Sequence, residues 1–126
     1  MSTPVHGHPS AARPWPAAIG AVLAALSIGL SAYASHGVDD ADARSNLQTA
    51  CLYAFGHGVA LAALWPRATG WLDRAALLAL LAGTLLFAGS LAGSVLAGLP
   101  TRLAPAGGML MMLGWVAWAV SVVRRR

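Results

Sequence analysis

Charged residues along this chain fall in short groups separated by long apolar runs. There are 25 uncharged residues between Arg13 and Asp39, 22 between Arg44 and Arg67, 27 between Arg74 and Arg102, and 21 between Arg102 and Arg124. Each run reaches the roughly 20 residues that an α-helix needs to cross the hydrocarbon core of a bilayer. The pattern predicts four membrane-spanning helices, over about 17–36, 46–65, 75–99 and 104–123. The expected fold class is all-α, an integral membrane four-helix bundle occupying residues 17–123. Residues 1–16 hold four prolines and no apolar periodicity, and read as a disordered tail; residues 124–126 form a basic C-terminus.

Composition sharpens this picture. Hydrophobic types make up 58% of the 126 residues and charged types only 10%, whereas a soluble domain carries about a quarter charged residues. The net charge of +4 comes from arginine alone. A nucleic-acid partner is excluded by distribution, because the arginines sit singly between apolar runs and not along one face with interleaved aromatics. They read instead as topology signals, which makes the lipid bilayer the expected partner. Arg13, Arg67, Arg74 and Arg124 to Arg126 share one side; Arg44 and Arg102 share the other. The positive-inside rule then places both termini in the cytoplasm and the acidic first loop outside.

Small residues mark where helices are expected to approach closely. In the first span Ala21, Ala25 and Gly29 recur at steps of four. The third carries Gly89 and Gly93 beside Ser90 and Ser94, and Gly107 and Gly108 open the fourth after Pro105. Asp42 or Ser45 is the expected N-cap of the second span. Residues 31–37, "SAYASHG", end the first run with a small-x-small triplet of the kind that precedes signal cleavage. The run is about 20 residues, longer than the 7 to 15 of a signal core, so a retained helix is the reading adopted.

Few residues carry candidate chemistry. Thr49, Tyr53 and His57 recur at steps of four and share one face of the second span, roughly 5, 10 and 16 Å below its outer end. His57 is thereby expected near the midplane. Ser90 is expected at the depth of Tyr53, and His36 at the mouth of this polar cluster. An ionisable group at midplane is a functional hypothesis by default; the structural alternative is a neutral histidine hydrogen-bonded to a neighbouring helix. Both readings stand at this point. A nucleophile built from Ser35 and His36, or from Ser90 and His57, lacks a carboxylate to orient the imidazole, since every aspartate is expected in a loop. His6-x-His8, and His36 with Asp39 and Asp40, supply too few fixed ligands for a metal. Met109, Met111 and Met112 read as packing. Cys51 is the only cysteine and lies within a predicted span. No catalytic residue, metal or cofactor is expected.

Four ordered stretches resemble a known family. They are Ala34-Ser35-His36-Gly37; Thr49-Ala50 with Tyr53 and His57; Leu86 through Leu91, "LFAGSL"; and Ala104-Pro105-Ala106-Gly107-Gly108 followed by Gly114-Trp115. Together they are similar to the DUF423 (domain-of-unknown-function) family of small four-helix membrane proteins, which takes in YgdD and transmembrane protein 256-like chains. Ala92 and Ala104 depart from the family's usual tyrosine and threonine. The resemblance implies the fold and a retained first helix, and implies no reaction. Two functions are expected from different classes. The first is a non-enzymatic structural or accessory protein that stabilises or helps assemble a larger membrane complex. The second is a small binding or transport module with an outward-facing pocket around His57, which four spans per chain would build as a homo-oligomer.

Overall fold

A computed structural model describes residue 2 and residues 13–125. The proline-rich tail and its His6-x-His8 pair lie largely or wholly outside the described residues. Four helices follow in order: α1 (Trp15–Gly37), α2 (Ala41–Leu64), α3 (Trp71–Ala97) and α4 (Ala104–Arg124), with a short 3₁₀ turn (Trp65–Arg67) after α2. All four are long and apolar enough to cross a membrane. Their outer faces carry exposed Val22, Leu26, Leu52, Phe55, Leu85 and Val116. A water-soluble chain would bury such residues, whereas a membrane bundle leaves them to face lipid tails. The protein is an all-α membrane bundle.

Helices α2 and α3 start earlier than the charge gaps suggested, because charges next to the gaps cap the helices. Asp40, not Asp42 or Ser45, is the N-cap of α2 and accepts from the Ala43 N–H at 2.7 Å. Arg44 folds back, donating from Nε and Nη2 to the Val38 carbonyl at 2.9 and 2.8 Å. Gly70 caps α3, with Asp73 at the third helical position accepting from the Gly70 N–H at 3.1 Å. Such caps satisfy the amides that a helix start leaves without intrahelical partners. At the other end of α3 the chain turns through Gly98 at φ 65°, a left-handed conformation that suits glycine. The "SAYASHG" stretch forms the last turns of α1, where Ala34 is fully buried.

Each helix packs on its chain neighbour, α1 on α2, α2 on α3 and α3 on α4, while α1 touches α3 only briefly. Glycines set the two tightest crossings. A Cβ at Gly20 would lie 2.5 Å from the Gly58 carbonyl oxygen, and one at Gly58 the same distance from that of Gly20. Between α3 and α4, a Cβ at Gly107 would meet the Phe87 amide nitrogen at 2.5 Å and the Gly83 carbonyl oxygen at 2.7 Å. On α4 the buried positions are Ala104, Gly107, Met111, Gly114 and Ser121. Steps of three and four of this kind make a coiled-coil-like seam.

The expected packing stripes are corrected accordingly. Ala21, Ala25 and Gly29 face outward, and nothing lies within 4 Å of a Cβ built on Gly29. The contact face of α1 runs one residue earlier, through Gly20 and Ala24. Gly89 is likewise open, Gly93 meets only the side chain of Leu99, and Gly108 makes ordinary contact with Phe87 at 3.8 Å. Of the three methionines in α4, Met111 alone fills the interior; Met109 and Met112 are exposed.

Candidate functional site

Helix α2 presents Tyr53 and His57 one turn apart, toward α3 and α4. The two rings stack nearly parallel, 5.9 Å between centroids and 9° between planes. Tyr53 also packs against Phe87 of α3 at 4.7 Å, and His57 against Trp115 of α4 at 5.9 Å. Four rings from three helices therefore form one continuous row. Its order is Phe87, Tyr53, His57, Trp115.

Both nitrogens of His57 are engaged within this row. The Trp115 indole N–H donates to Nε2 at 3.1 Å. An indole can only donate, so Nε2 is the acceptor and the ring proton lies on Nδ1. Nδ1 sits 2.8 Å from the Tyr53 carbonyl oxygen, to which it donates. A carbonyl freed or shared one turn back along the helix serves as the second partner. His57 is thus a neutral imidazole with a donor and an acceptor each matched.

The remaining sequence candidates do not complete a polar pocket around it. His36 is exposed at the end of α1 and joins none of these contacts. Thr49 is half-buried and makes none of the row's hydrogen bonds. The hydroxyl oxygen of Ser90 is buried without a hydrogen-bond partner, while Ser94 bonds back to the Leu91 carbonyl at 2.8 Å. Because α2 begins at Ala41, His57 lies about 24 Å along the helix from that end and about 10 Å from the other, past the midpoint and not at it.

A second polar cluster, which the sequence reading missed, lies where α3 begins and α4 ends. Asp73 is 2% exposed, so the expectation that every aspartate is in a loop fails. Its Oδ2 accepts from the Thr69 N–H at 2.8 Å and the Gly70 N–H at 3.1 Å. Its Oδ1 accepts from the Ser121 hydroxyl and pairs with Arg125 Nη2 at 2.6 Å. Arg125 in turn lies 5.3 Å from the centroid of the Trp118 ring. The signal for this cluster was available in part: Gly70 followed three residues later by an acid, ahead of an apolar run, is a helix-start pattern.

Asp73 does not repair the Ser–His arrangements. It stands 17 residues before Ser90 on one straight helix, about 26 Å away along the axis. Among the described residues no three His, Cys, Asp or Glu side chains converge tightly enough to hold a metal ion, His36 with Asp39 and Asp40 included. The bundle does contain an apolar groove of about 150 Å³ between α1, α2 and α3, lined by Leu26, Leu30, Cys51, Thr84, Ala88 and Gly89 among others. That groove explains why Gly89 is open. His57 is not part of it.

A family model described as "Protein of unknown function (DUF423)" matches residues 30–108, from the last turns of α1 to the start of α4. His36, Thr49, Tyr53, His57 and Ser90 all fall inside the matched stretch. No solved structure matches the chain.

Proposed function

The chain belongs to the DUF423 family of proteins of unknown function, and from that premise we propose that it is a non-enzymatic structural or accessory protein of the bacterial inner membrane, with both termini cytoplasmic. One observation carries the reading. His57, a partly buried side chain within the span of α2, has both ring nitrogens committed to bundle partners, Tyr53 on its own helix and Trp115 on α4. A ligand, substrate or proton would have to displace the indole before reaching Nε2.

The arginine asymmetry supports the orientation, since the ends of α1, α2, α3 and α4 that carry Arg13, Arg67, Arg74, Arg124 and Arg125 lie together. A scaffold role fits the outward stripe of Ala21, Ala25 and Gly29 on α1, small residues that let another membrane subunit or another copy approach closely. The direct test is substitution of His57. A clamp histidine, when replaced by alanine, lowers thermal stability in detergent and leaves bound species unchanged.

A second reading keeps one observation in its favour. The Ser90 hydroxyl, buried and unpaired, is a group that a bound solute would satisfy, though it joins none of the His57 contacts. Loss of a bound solute on His57 substitution, with stability retained, distinguishes it.

A further inference from the structure

The bundle end that gathers the arginines also has a built cavity. It measures about 280 Å³ and lies between the turn that leads into α3 and the last turn of α4, lined by Thr69, Trp71, Asp73, Ser121, Arg124 and Arg125. The Asp73 oxygens that face it are taken up by the Thr69 and Gly70 amides, by Ser121 and by Arg125. The carboxylate therefore neutralises one arginine and has no capacity left for Arg124. Among the described residues Arg124 is in no ion pair.

We propose that this cavity seats the phosphodiester headgroup of an anionic phospholipid, with Arg124 as its principal donor and Arg125 as a second. Charge complementarity carries the assignment. Among the described residues, this end of the bundle holds five arginines against one aspartate, while the other holds Arg44 and Arg102 against Asp39, Asp40 and Asp42. A guanidinium pairs with two phosphate oxygens at once through its planar fork, and cationic side chains at the membrane surface favour anionic lipids. Trp71 identifies the source of the phosphate as lipid. It is 78% exposed at the cavity rim on the first turn of a membrane helix, the level where tryptophan sits among headgroups. A headgroup held by Arg124 then lays its acyl chains along the apolar flank of α3.

The test is native mass spectrometry of the protein extracted in mild detergent and given equal amounts of dioleoylphosphatidylglycerol and dioleoylphosphatidylcholine. Wild type is expected to retain the phosphatidylglycerol in preference. Arg124→Gln is expected to reduce that retention about fivefold, the factor one surface arginine carries toward an anionic lipid, with Arg124→Lys recovering part of it. Arg102→Gln, at the opposite end, should retain as much as wild type. Equal retention of the two lipids overturns the proposal, as does an Arg124→Gln protein that behaves like Arg102→Gln. Displacement of the phosphatidylglycerol by inorganic phosphate alone assigns the cavity to a free anion and also overturns it.

Discussion

The Trp115 indole N–H donates to His57 Nε2 at 3.1 Å, joining α4 to α2 across a gap that the two helices do not otherwise close by extensive packing. A hydrogen bond between membrane helices is worth about 0.6 kcal/mol on average and up to about 1.7. Here it is buttressed by the stack on Tyr53. His57→Ala and Trp115→Phe are each expected to lower the unfolding free energy by about 1 kcal/mol. The double variant should lose little more than either single one, because both remove the same bond. Unfolding in mixed micelles, read by circular dichroism, measures all three.

The glycines make a contrasting pair of expectations. Gly107→Ala places a methyl 2.5 Å from the Phe87 amide nitrogen, a backbone atom that cannot turn aside. The helices must separate, at a cost of about 1–3 kcal/mol. Gly89→Ala enters open space, and alanine is a better helix former than glycine by roughly 1 kcal/mol in water, so that variant should be neutral or slightly more stable. The same micelle unfolding assay ranks them.

Asp73 ties the turn before α3 to the C-terminal end of α4. Asp73→Ala removes the acceptor of two backbone amides and leaves Arg125 without its pair. The expected loss is on the order of 2 kcal/mol, combining a lost cap with a broken pair whose arginine is partly solvated. Asp39→Ala, at an exposed position ahead of α2, should change stability by less than about 0.5 kcal/mol. Arg125→Gln should fall between them, since Ser121 and the amides still serve the carboxylate.

Orientation has its own test. Cys51 is buried and free, so in intact cells it should resist a membrane-impermeant maleimide. In a Cys51→Ala background, Asp39→Cys is expected to label from outside, whereas Arg67→Cys should label only after the membrane is opened. The reverse pattern would turn the protein over.

Much of the fold was legible from charge spacing alone, because a bilayer enforces long uncharged runs whatever the packing inside. The ends of α1 and α4 came within two residues of expectation on that basis. Helices α2 and α3 started early since Asp40, Asp42 and Asp73 serve helix starts, and a count of charges cannot tell a capping carboxylate from a loop carboxylate. Faces were harder. On α1 the stripes Gly20–Ala24 and Ala21–Ala25–Gly29 look alike in sequence, and only the presence of Gly58 on the partner helix selects the first. For the same reason Tyr53 and His57 were recognisable as one face, while Trp115 was not recognisable as their partner: its position depends on the register between α4 and α3, which the seam through Gly83 and Gly107 sets.

Whether His57 is a clamp or a binding group is decided most directly by native mass spectrometry of wild type beside His57→Ala, paired with their melting temperatures. The account predicts that any lipid or subunit retained by wild type is retained equally by the variant, and that the variant melts at lower temperature. A small solute that is bound by wild type and absent from an equally stable His57→Ala protein would contradict it.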